Sequence, residues 1–99
     1  ELNFGSWEGQ RWDEIQDPRL QEWYDDWLSI PAGGAESFLE QYNRVSAFLD
    51  DLKETGYEKV CVFAHGGTIR AALIYVGKYN FNQAFTDDVN YGAQVKMTI

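Results

Sequence analysis

The stretch Lys59-Val60-Cys61-Val62-Phe63-Ala64-His65-Gly66-Gly67-Thr68 decides the fold reading. From Val60 to Ala64 the residues are continuously apolar, partly β-branched, and preceded by the breaker Gly56. A short run of this kind predicts a strand covered on both faces. Behind it, residues 68–76 read as a helix with Ile69, Ala72, Leu73 and Val76 inward, ended by Gly77. Ahead of it, residues 36–53 carry Phe38, Tyr42, Val45, Phe48, Leu49 and Leu52 at helical spacing, with Thr55-Gly56 as the stop. The order helix–strand–helix points to an α/β class with layered packing.

Further out, Asp17-Pro18 is a helix start, because Asp can cap free N–H groups and Pro is tolerated in the first turn. Leu20, Trp23, Tyr24, Trp27 and Leu28 then share one face, and Pro31-Ala32-Gly33-Gly34 stops the helix. The opening Glu1-Leu2-Asn3-Phe4-Gly5-Ser6-Trp7-Glu8-Gly9 reads as an extended segment entering a turn. Residues 93–99 read as a last strand. Cys61, in mid-strand, is expected to be a buried and inert small hydrophobe.

In open α/β sheets ligands bind beyond the carboxyl ends of strands, against the helix that follows. His65-Gly66-Gly67-Thr68 occupies that position. Two glycines let the backbone approach a ligand, and their N–H groups open a helix, which favours an anion such as phosphate. His65 would sit beside it as a hydrogen-bond donor or proton carrier. A lone histidine is also a common structural residue and Gly-Gly a common tight turn, so these residues alone leave both readings open. Arg70, one turn on, fits a phosphate contact or a structural ion pair under the site.

Four ordered segments carry a resemblance. Val62-Phe63-Ala64-His65-Gly66-Gly67-Thr68-Ile69-Arg70-Ala71-Ala72-Leu73 resembles the second-histidine motif of the histidine phosphatase superfamily, the phosphoglycerate mutase-like enzymes. The opening nine residues resemble the family's mid-chain motif. Gly33-Gly34-Ala35-Glu36-Ser37 resembles its Gly-Gly-Glu-Ser segment with Ala35 inserted, and Asn90-Tyr91-Gly92 also fits. The Phe-Gly-x-Trp-Glu-Gly form is most similar to the bacterial phosphatase branch, including α-ribazole-5′-phosphate phosphatases of cobalamin synthesis.

The resemblance implies a three-layer α/β/α phosphoglycerate mutase-like fold with a mostly parallel sheet, residues 1–99 being roughly the C-terminal half of one domain. It implies phosphomonoester hydrolysis through a phosphohistidine, a covalent route in two steps. Glu1 matches the general acid and base, and His65 the second active-site histidine. Gly66, Gly67, Ser37 and Trp7 are the phosphate- or substrate-binding candidates, Trp7 or Trp12 by stacking on an aromatic leaving group. No metal or other cofactor is implied. The Arg-His-Gly motif that carries the family's nucleophile does not occur in this sequence, so the fragment is expected to be inactive alone. Phosphoglycerate mutase-type transfer is the neighbouring alternative, and a non-catalytic binding or assembly module the one from another class.

Composition sets the remaining bounds. With 99 residues there is at most one domain, and with Glu at position 1 and Met97 the only Met, a segment of a longer polypeptide is expected. A formal charge of −8 disfavours nucleic acid and anionic membranes, and the resemblance implies a small phosphorylated substrate. No stretch has the length of a bilayer span and no signal-peptide pattern opens the chain. One Cys and one His exclude an intrachain disulfide and give too few ligands for a structural zinc site, and a cytoplasmic location follows as the expectation. Half a sheet would leave open strand edges, so pairing with a missing N-terminal half or self-association is expected.

Overall fold

Three α-helices carry the regular structure: α1 (Arg19–Asp25), α2 (Phe38–Lys53) and α3 (Gly66–Tyr75). Short 3-10 turns lie at Gly5–Trp7, Trp12–Glu14 and Phe81–Gln83. This computed structural model describes residues 1–99. No helix is long and apolar enough to cross a membrane.

The expected α/β architecture with a mostly parallel sheet is overturned. Residues 59–64 and 93–99 form no strand, and the β interactions reduce to an isolated antiparallel bridge between Ala32 and Glu36. The physical reason is that strand preference measures how well a side chain fits a pleated, half-buried surface. A single extended segment has no ladder to satisfy its N–H and C=O groups and no face to bury. Here Val60, Val62 and Phe63 stand in solvent, Phe63 at 95% exposure. Cys61 is exposed too, which corrects its expected burial.

The helices follow the sequence more closely, with local differences. Within α2 the buried side chains are Phe38, Gln41, Val45 and Leu49, whereas Phe48, expected inward, is exposed. α3 begins two residues earlier than residue 68, at Gly66, and buries Ala71, Leu73 and Ile74. α1 ends at Asp25, short of Trp27 and Leu28, because Asp26 leaves the helical region at φ −147°.

Two compact units divide the chain: Leu2–Gln41, and Tyr42–Ile99 together with Glu1. The first unit is built on aromatic rings and a glycine clasp. Trp12 stacks on Trp23 with centroids 5.6 Å apart and planes within 8°, and the buried Trp7 meets Trp23 edge-on at 5.9 Å. Trp27 meets Phe38 edge-on at 5.4 Å. In the clasp, Ser6 donates to the Gly33 carbonyl from both its N–H and its hydroxyl, each at 3.1 Å. Gly33 is held at φ +56°, where a β-carbon would fall 1.9 Å from the Phe4 carbonyl oxygen. The inserted Ala35 is absorbed in the same turn, its N–H donating to the Ala32 carbonyl at 3.0 Å. Glu36 then reaches back, Oε1 accepting from the Asn3 N–H at 3.0 Å.

Asp17 ties this unit together. It accepts from the Arg19 N–H at 2.9 Å, from the Arg19 guanidinium at 2.6 Å and from the Trp7 indole at 3.1 Å. Hydrogen bonds from the Arg19 guanidinium, then from the Arg19 N–H and the Trp7 indole, hold the Asp17 carboxyl well below the usual carboxylate range. A folded-state pKa below the unfolded one means that the unfolded chain binds the extra proton. The contribution of Asp17 is therefore complete above about pH 4, the ordinary carboxylate range, and fades as the pH falls further. Acid titration of the tryptophan fluorescence is expected to show this loss, and Asp17→Asn to flatten it. An unchanged acid profile in Asp17→Asn would contradict the assignment.

In the second unit α2 and α3 are joined at their polar edges. The Tyr75 hydroxyl donates to Asp50, and the Lys53 ammonium lies 4.9 Å from the centre of the Tyr75 ring. Tyr42 meets Phe81 edge-on at 4.9 Å. A capping box, Asn80 with Gln83, fixes the turn that follows α3.

Candidate active site

His65 is the last extended residue before α3, at φ −110° and ψ 165°. Its carbonyl accepts the Ile69 N–H at 3.1 Å, the first bond of the helix. The first N–H groups of any α-helix have no partner within it, and here Gly66, Gly67 and Thr68 supply them. The aligned peptide dipoles place partial positive charge at the same end.

The His65 imidazole turns toward Glu1. Its Nε2 lies 3.2 Å from Glu1 Oε2, with the two side chains 65% and 53% exposed. Glu1 is tethered from α2, where the Arg44 guanidinium donates to its backbone carbonyl at 2.8 Å. An exposed pair of this kind contributes roughly 0–1 kcal/mol to stability, so folding alone gives little reason for it. It brings a carboxylate and an imidazole together beside the first N–H groups of α3. No group of three or more His, Cys, Asp or Glu side chains is placed to hold a metal ion.

The other sequence-derived candidates fall as follows. Gly66 and Gly67 open α3, next to His65. Ser37 is buried in the Leu2–Gln41 unit, and its hydroxyl exchanges hydrogen bonds with Glu40, donating to Oε1 and accepting the Glu40 N–H, each at 3.2 Å. With the Ser37 N–H also donating to Glu40 Oε1 at 3.3 Å, this is a capping box at the start of α2. Trp7 is buried in the same unit with its indole N–H committed to Asp17. Sequence reasoning missed Arg44, whose tether depends on a residue far away in the chain and leaves no local pattern. It also missed Phe85 and Asp87, which hold Arg70: the Arg70 Nη2 donates to the Asp87 carbonyl at 3.0 Å. The spacing from Gly66 to Arg70, one helical turn, was the available signal.

A carboxylate and an imidazole thus meet beside the N-terminus of α3. The chain belongs to the histidine phosphatase superfamily (branch 1), whose family model matches residues 1–99. Among curated proteins it is similar to the "Putative phosphoserine phosphatase 2" of Hydrogenobacter thermophilus, with 32% identity over 76 residues, 74% of this chain. The chain thereby spans 37% of the length of that relative. No solved structure matches it.

Proposed function

We propose that the protein carrying this chain hydrolyses phosphomonoesters through a phosphohistidine intermediate. The observation that supports this most directly is the 3.2 Å approach of Glu1 and His65 at the start of α3, in a chain of this superfamily. The nucleophilic histidine belongs to an Arg-His-Gly motif that residues 1–99 do not contain. In the first step that histidine takes the phosphoryl group, and the Glu1 carboxyl gives its proton to the departing alcohol oxygen. In the second step the Glu1 carboxylate takes a proton from the water that attacks the phosphohistidine. His65 and the N–H groups of Gly66 and Gly67 hold the non-bridging oxygens, where negative charge sits in both steps.

Two leaving groups have support. The resemblance of the Phe4-Gly5-Ser6-Trp7-Glu8-Gly9 segment supports α-ribazole-5′-phosphate, a substrate of cobalamin synthesis. The relative's name favours phosphoserine. We take the nucleotide reading as the first. The test is phosphate release from α-ribazole-5′-phosphate, phosphoserine and p-nitrophenyl phosphate by the protein that includes the Arg-His-Gly segment. The ribazole ester is expected to show the highest kcat/KM, and residues 1–99 alone no turnover. A higher kcat/KM for phosphoserine would replace the nucleotide reading. Phosphoryl transfer between phosphoglycerates without release to water would replace the hydrolase with a mutase.

A further inference from the structure

A guanidinium stands at the first turn of α3. Arg70 follows Gly66 by one turn, and helical side chains lean toward the N-terminus, so its guanidinium falls back over the start of the helix. Its Nη1 would lie 3.2 Å from a β-carbon built on Gly66, with Val89 Cβ at 3.9 Å. The room is kept by the absence of a side chain at Gly66. Two further contacts fix the group: Nη2 donates to the Asp87 carbonyl at 3.0 Å, and the guanidinium carbon lies 4.9 Å from the centre of the Phe85 ring. Tyr79 anchors Asp87 in turn, its phenol donating to Oδ2. The Arg70 Nε is buried and has no hydrogen-bond partner.

The contact with Asp87 is to its backbone carbonyl, while the Asp87 carboxylate takes the Tyr79 hydroxyl. A guanidinium in this place matters in a chain of formal charge −8, whose long-range field repels anions. Salt screens that field beyond about 10 Å, whereas a fixed cation next to the helix amides acts inside the screening distance. We propose that Arg70 is a positioning residue of the phosphate site. Its guanidinium, held by Phe85 and Asp87 over the first turn of α3, raises the affinity of the Gly66 and Gly67 amides for a phosphoryl dianion. This rests on the reading of His65-Gly66-Gly67 as an anion site.

The test is titration of the chain with inorganic phosphate at fixed ionic strength, following the ¹⁵N–¹H signals of Gly66 and Gly67. Both signals are expected to shift saturably in the unaltered chain. Arg70→Lys keeps the charge and should stay within about threefold of its Kd, whereas Arg70→Gln should weaken binding about tenfold or more. A purely structural role predicts equal weakening in both variants, because each keeps a donor for the Asp87 carbonyl and each loses the guanidinium stack on Phe85. Equal weakening, or unaltered affinity in Arg70→Gln, overturns the proposal while the anion site stands. No shift in any chain, the unaltered one included, removes the anion-site reading and this inference with it. If Arg70→Gln does not fold, Phe85→Leu gives the second measurement, since it loosens the guanidinium without touching its charge. Weakening of about threefold is expected there, and unaltered affinity overturns the proposal.

Discussion

Glu1→Gln is expected to lower phosphomonoester turnover by about 10²–10⁴-fold in the protein carrying this chain, the usual size of a general acid–base contribution. The substitution keeps the shape of the side chain and an oxygen that can accept from His65 Nε2, now 3.2 Å from Oε2. The Arg44 tether goes to the backbone carbonyl and survives it. Both side chains of the pair are more than half exposed, so the stability change should stay below about 1 kcal/mol. What disappears is the acidic proton.

The loss should depend on the leaving group. An alkyl or ribose oxygen needs a proton as it departs, whereas p-nitrophenolate leaves readily without one. Single-turnover formation of the phosphohistidine should therefore fall much less with p-nitrophenyl phosphate than with a ribose-5′-phosphate ester. The second step, in which water must lose a proton, is common to both substrates and should slow equally. No loss for either substrate in the first step would show that Glu1 acts only on the water. Full turnover in Glu1→Gln would remove it from the chemistry altogether.

The parts of the chain that could be read from sequence are those whose partners are close in sequence. α2 was legible because its apolar spacing and its end at Thr55-Gly56 are local, and it forms at Phe38–Lys53. Its misread positions, Phe48 exposed and Gln41 buried, show that periodicity gives a stripe and not which edge of the stripe is covered. His65-Gly66-Gly67 was legible as a helix opening for the same reason. Residues 59–64 have the composition of a buried strand, but a strand exists only through its neighbours, and none pairs with them here. The Arg44–Glu1 tether and the Phe85–Asp87 seat of Arg70 join residues 43 and 17 positions apart, beyond what local spacing conveys. Trp7 and Ser37 were singled out by resemblance, while their hydrogen bonds lie within the framework of the Leu2–Gln41 unit.

That framework supplies the largest expected change in stability. Gly33→Ala should destabilise the Leu2–Gln41 unit by about 3 kcal/mol or more. Two costs add. A non-glycine residue at φ +56° pays about 1–2 kcal/mol for the left-handed backbone. Its β-carbon would also stand 1.9 Å from the Phe4 carbonyl oxygen, 2.9 Å from the Phe4 carbonyl carbon and 3.0 Å from the Ser6 nitrogen. These are backbone atoms on a facing segment, so relief requires the two segments to separate. Separation breaks the paired donations of Ser6 to the Gly33 carbonyl, each contributing about 0.5–1.5 kcal/mol. Two other glycines calibrate the effect. At Gly34, φ +77°, the close neighbour is the Arg19 guanidinium, the movable end of a long side chain, so Gly34→Ala should cost less. At Gly9, φ +74°, nothing lies within 4 Å, and Gly9→Ala should show the backbone cost alone. All four tryptophans, Trp7, Trp12, Trp23 and Trp27, lie in this unit, so urea unfolding followed by tryptophan fluorescence reads it directly. The expected order of midpoints is Gly9→Ala, then Gly34→Ala, then Gly33→Ala lowest. If Gly33→Ala unfolded together with Gly9→Ala, the clasp would not be what holds residues 4–6 against the turn at Gly33.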